Sequence, residues 1–177
     1  MVMEVVVPDT YKHLFVQDDK RPIVKVPAEV LRRKAAEVPR VLHRHKVLAE
    51  NMSRIMREAH GVGLAAPQIG VLERIIVIAP DRKPVVMFNP RITHLEGKQV
   101  GEEGCLSIPG LYGDVERALL VEVTALDKKG RETVFELEGL AARVVQHEID
   151  HLDGVLFIDK VDPATLHWRN PHDDEDL

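Results

Sequence analysis

Between residues 41 and 60 the apolar positions Leu48, Met52, Ile55, Met56 and Ala59 recur at intervals of three and four, and Gly61 follows. That spacing predicts an amphipathic helix with one core-facing stripe and a glycine stop. Residues 28–38, AEVLRRKAAEV, set Val30, Leu31 and Ala35 among charges at helical spacing and halt before Pro39, which predicts a second, shorter helix. The runs ERIIVIA (73–79) and VVMFNP (85–90) are short and largely β-branched, so both read as strands. LLVEVTAL (119–126) and RETVFELEG (131–139) flank Asp127 to Gly130, where the glycine supplies the positive φ of a tight hairpin loop. Leu140, Val144, His147 and His151 then share one helical face, with Gly154 near the end. The pattern predicts an α+β fold in which mixed or antiparallel strands pack around a helix in the C-terminal half.

Residues 1–22, interrupted by Pro8, Asp18, Asp19 and Pro22, read as an irregular arm, and residues 160–177 read as a mostly solvated acidic tail. The whole chain, 1–177, is expected to form a single domain, a length that suffices for a real core. Composition fits: 45% of residues are apolar and 30% charged. The formal charge of -5, without a long basic run, gives no electrostatic footprint for nucleic acid or an anionic membrane. No stretch approaches the roughly 18 consecutive apolar residues of a membrane span, and the N-terminus lacks a basic start followed by a long apolar core, so a cytoplasmic location is expected.

Chemistry enters with His147-Glu148-Ile149-Asp150-His151, where two histidines four positions apart project from one side of a helix with a glutamate between them. One metal ion can take both imidazoles; equally, either ring can be a hydrogen-bonded core residue. A third ligand downstream is hard to find, because His167 and His172 lie near the polar tail and Asp153 and Asp159 read as loop carboxylates. Upstream stands Cys105, the single cysteine, which excludes an intramolecular disulfide and leaves an inert thiol, a reactive group or a ligand. Two imidazoles and a thiolate would leave a fourth tetrahedral position for water, the mark of a catalytic rather than a structural site. Glu148 is placed to take the proton from that water. His43 and His45, among Arg44 and Lys46, read as a solvated helix face.

Three blocks, Gly61-Val62-Gly63-Leu64-Ala65-Ala66-Pro67-Gln68, Glu103-Gly104-Cys105-Leu106-Ser107 and Gln146-His147-Glu148-Ile149-Asp150-His151, together resemble the peptide deformylase family. The resemblance implies that Cys105, His147 and His151 bind one divalent ion, Fe(II) by family habit with zinc, nickel or cobalt as substitutes. It implies that Glu148 is general base and acid, and that Gln68 and the Leu106 backbone N–H donate to the oxyanion. By position, Val62, Gly63, Glu103, Leu140, Arg143 and Val144 would contact the substrate, with an extended peptide pairing along the backbone near Gly63. The implied substrates are N-formylmethionyl peptides and nascent chains near the ribosome. Asp150 and Arg117 are implied as an ion pair behind the ligands. Tyr112 departs from relatives that carry a basic residue there, which touches peptide contacts and not the chemistry.

Two other readings compete. A zinc endopeptidase shares the helix motif but needs a usable ligand downstream and an open cleft. A metal or redox sensor would use Cys105 as its switch, yet nothing in a sensor requires a carboxylate inside the histidine pair.

Overall fold

The computed structural model describes residues 2–173. The clearest periodic segment forms α1 (His43–Glu58), and Ala49, Met52, Ile55 and Met56 on its stripe are buried. Five antiparallel strands make one sheet: β1 (Gly63–Ala65), β2 (Ile75–Ile78), β3 (Val85–Glu96), β6 (Leu120–Leu126) and β7 (Glu132–Glu138), adjacent in that order. A second sheet joins β4 (Gln99–Cys105), β5 (Ile108–Arg117) and β8 (His167–Trp168), also antiparallel. The second helix, α2 (Leu140–Leu152), follows the β6–β7 hairpin.

The alternation of a strand explains how the sheet divides the core. Ile75 and Val77 of β2 join the cluster beneath α1, while Ile76 and Ile78 join Ala142, Val145, Ile149 and Leu152 of α2 on the other face. With both faces covered, all four β2 residues are buried, which accounts for a continuous apolar run in place of alternation. A third cluster unites Ile108, Leu111 and Val115 of β5 with Leu31, Leu156, Phe157 and Val161.

Three expectations are corrected. Residues 28–38 form only a single 3-10 turn, Glu29–Arg32. Beyond it the chain runs as a partner of another segment: Ala35 N–H donates to Leu152 O, and Ala36 bridges Glu73 in parallel. Leu31, Ala35 and Val38 are buried by these tertiary contacts, and no helix is needed to bury them. His45 is 1% exposed, because the Leu42 backbone N–H donates to its Nδ1 at 2.9 Å and its ring meets Phe88 edge-on. Residues 160–173 are not a solvated tail: Val161 is buried, Leu166 and Trp168 pack on the third cluster, and β8 pairs with β5. The acidic end of that expected tail, 174–177, lies outside the described residues. The arm is irregular apart from a 3-10 stretch, Asp9–Phe15.

Candidate metal centre and substrate cleft

Two elements distant in sequence supply the centre. Strand β4 ends at Cys105 after a register shift between Glu103 and Cys105, and Cys105 pairs with Ile108 across Leu106 and Ser107. Such an irregularity re-aims the side chains that follow it. Helix α2 buries Ala142, Val145, Ile149 and Leu152 in the core, which turns Val144, His147, Glu148 and His151, spaced i, i+3, i+4 and i+7, to a neighbouring face. One donor atom from each of Cys105, His147 and His151 lies within 4.8 Å of the others, and Cys105 Sγ is 3.4 Å from His151 Nε2.

Glu103 sets the orientation of His147. Its Oε2 accepts from His147 Nδ1 at 2.9 Å, so the ring is held by one nitrogen and the other is left for the centre. The same carboxylate accepts from Arg117 Nε and Nη2 at 2.8 and 2.9 Å and from Arg143 Nη1 at 2.8 Å. Burial alone would raise the pKa of Glu103, but the Arg117 and His147 contacts hold it far below the usual carboxylate range. Arg117 also reaches Asp150 Oδ2 at 2.5 Å, and Lys160 Nζ reaches it at 3.0 Å.

Glu148 lies in a different environment. It is 4% exposed, and among the described residues its buried Oε2 has no hydrogen-bond partner. Burial pushes its pKa up to about 7, against the opposing pull of His147. The carboxylate packs over Gly63, where any side chain would collide with it. The close approach that Gly63 allows is therefore made by the protein's own glutamate.

The donor set fits a cation. Burial opposes charge on both rings, yet contacts with Cys105 and Glu103 hold His147 well above the usual histidine pKa, while burial and the charge on His147 hold His151 well below it. Two ring nitrogens and a sulfur thus converge where one positive charge is favoured and a second is not, a place suited to a single cation. Nitrogen, nitrogen and sulfur together suit zinc, iron, nickel or cobalt and not magnesium or calcium.

The other expected site residues fall as follows. Gln68 is 2% exposed; its Oε1 accepts from Ala65 N–H at 3.0 Å, and its Nε2 lies 3.2 Å from Ser107 Oγ and 3.7 Å from Cys105 Sγ. A cavity of about 750 Å³ is lined by Gln68, Cys105, Leu106, His147 and Glu148. Val62, Gly63, Glu103, Leu140, Arg143 and Val144 line it too. His167, weighed as a downstream ligand, instead meets Glu102 Oε2 at 3.2 Å, outside the cluster. Sequence reasoning placed Glu103 with the substrate and missed its hold on His147, a contact between β4 and α2 that no local spacing records.

The sequence model of the family described as polypeptide deformylase matches residues 20–167. The chain belongs to that family. It is 48% identical over 149 residues to a peptide deformylase of Desulforudis audaxviator, covering 83% of this chain and 96% of that one. Among solved structures, the peptide deformylase of Thermus thermophilus is 50% identical with a TM-score of 0.77, covering 81% of this chain and 86% of that chain. The enzyme of Synechococcus elongatus, solved in complex with actinonin, is 41% identical with a TM-score of 0.79, covering 83% and 84%. As a deformylase the chain is a hydrolase that removes the formyl group from an N-terminal methionine, and the family is metal-dependent. No helix among the described residues is long and apolar enough to cross a membrane.

Proposed function

We propose that Cys105, His147 and His151 hold one divalent ion, Fe(II) in the cell, and that Glu148 carries the proton while formate is released from N-formylmethionyl peptides. The observation that carries this reading is the convergence of one sulfur and two imidazoles within 4.8 Å beside a buried carboxylate. When bound, the ion supplies Lewis acidity to water and to the formyl oxygen. Glu148 accepts a proton from the attacking water and returns it to the amine nitrogen as the C–N bond breaks, so formate and a free N-terminus leave. A carboxyl with its pKa at about 7 is suited to both halves of that transfer near neutral pH.

Gln68 and the Leu106 backbone N–H donate to the oxyanion. Ala65 fixes the amide of Gln68 by its oxygen, which turns the NH2 group toward Ser107 and Cys105 before substrate arrives. Strand β1 is an edge of its sheet, so Gly63 offers backbone groups to an extended peptide, next to Val62, whose carbonyl already accepts from Ala79 N–H at 2.7 Å. Leu140 and Val144 receive the methionine side chain, and Arg143 and Glu103 brace that wall through their mutual ion pair. Zinc, nickel or cobalt can replace Fe(II) among these donors. The substrates in the cell are nascent chains leaving the ribosome in the cytoplasm, and actinonin, with which the Synechococcus elongatus enzyme was solved in complex, is expected to fill the cleft.

Formate release from formyl-Met-Ala-Ser, measured with metal content on wild type and Glu148→Gln, tests the reading. The variant should keep its metal and lose turnover; a variant that turns over normally would overturn the role given to Glu148.

A further inference from the structure

The family match begins at residue 20 and ends at residue 167, yet chain on both sides of it returns to the cleft. Outside the match, His13, Leu14 and Val16 of the arm line the cavity that also holds Cys105 and Glu148, next to Lys20 and Arg21 at the first matched positions; Pro171 and His172 line it from the other end of the chain. These two segments hold each other. Tyr11 stacks on Trp168 with centroids 5.2 Å apart, and Phe15 meets the same ring at 6.4 Å. Beneath them, Gly110 has φ +89 and no side chain, and a Cβ there would come within 3.1 Å of the Tyr11 ring.

The C-terminal piece is anchored in turn. Leu111 pairs with Trp168 and Tyr112 with His167, and Arg169 N–H donates to Gly110 O at 2.8 Å. Arg169 lies over the Tyr112 ring at 4.3 Å, and its Nη2 meets Glu102 Oε1 at 2.8 Å. An added wall of this kind is built, not draped: aromatic stacking, a strand pairing and an ion pair all fix it against β4 and β5. The cavity it completes, about 750 Å³, exceeds what one formylmethionyl residue fills, and lies in the upper part of the range of sites that enclose whole drug-sized ligands.

We propose that the arm and the C-terminal strand form a wall that contacts the substrate peptide beyond its methionine and selects its third and fourth residues. The proposal rests on the cleft being the peptide site argued above. Leu14 and Val16 offer the wall an apolar surface. Of the charges on its rim, Arg21 is paired with Asp18, Glu58 with Arg54 and Glu102 with Arg169, so Lys20 gives the rim the basic character that favours acidic over basic side chains in the peptide.

The test is kcat/KM for formyl-Met-Ala, formyl-Met-Ala-Ser-Glu and formyl-Met-Ala-Ser-Lys on wild type, Trp168→Ala and the double variant Lys20→Glu, Arg21→Glu, with thermal unfolding of each. In the double variant the ratio for the Glu peptide over the Lys peptide should fall by about fivefold or more, the scale of two exposed charge contacts. In Trp168→Ala the ratio of tetrapeptide to dipeptide should fall by about threefold or more, through KM and not kcat, as the wall loosens. Should Trp168→Ala fail to fold, the double variant alone decides, since both of its positions are at the exposed surface. Ratios unchanged in a folded double variant would overturn the proposal, as would equal losses on short and long peptides. Failure of wild type to release formate from any of the three would instead strike the reading of the cleft.

Discussion

Two carboxylates flank His147, one bonded to its ring and one next to it in the chain, both nearly withdrawn from water, and their surroundings push their pKa values in opposite directions. Glu103 accepts from two guanidinium groups and an imidazole and stays ionised. Glu148 has an oxygen without a hydrogen-bond partner among the described residues, and a pKa pushed to about 7. Residue type is the same; the supply of cations differs. A fully paired carboxylate can orient but cannot exchange protons near neutral pH, whereas a desolvated one is poised to exchange them. Glu103 and Glu148 thus divide positioning from proton transfer.

Substitutions can separate the two roles. Glu148→Gln should lower kcat by about two to four powers of ten while metal content stays at the wild-type level. Gln68→Ala should cost about two to three powers of ten in kcat with metal again retained. Glu103→Gln should do the reverse: metal affinity falls about tenfold to a hundredfold by titration, and most turnover returns once the site is saturated. Glu103→Ala adds a stability cost of about 3–5 kcal/mol, read from chemical denaturation, because Arg117 is left buried with its main partner removed. Asp150→Asn acts on His147 only through Arg117 and then Glu103 and keeps a hydrogen-bonding group in place, so its loss of metal affinity should stay under about tenfold. Equal effects of Glu103→Gln and Glu148→Gln on both metal content and kcat would erase the distinction.

The parts of this arrangement differ in how openly the sequence displays them. Helix α2 was legible because its core stripe and its two histidines obey the same period, and α1 because a glycine closes a long amphipathic run. The 28–38 segment misled because Leu31 and Ala35 have helical spacing, while the segment is held by Leu152, Leu72 and Glu73, partners far along the chain that no local period records. The hold of Glu103 on His147 spans 44 positions and depends on how β4 packs against α2, so residue spacing alone could not show it. The residues after 160 looked solvated because the acidic end dominates their composition. Val161, Leu166 and Trp168 were nonetheless available as the apolar positions that dock there. His45 looked exposed among charged neighbours because its burial depends on Phe88, which reaches it from β3.

Metal analysis of anaerobically purified protein reaches the central claim most directly. Wild type should carry one divalent ion per chain, and Cys105→Ala and His151→Ala should each lose it along with formate release. A full complement of metal in the Cys105→Ala, His151→Ala double variant would contradict the account, since the ion would then be held by other groups.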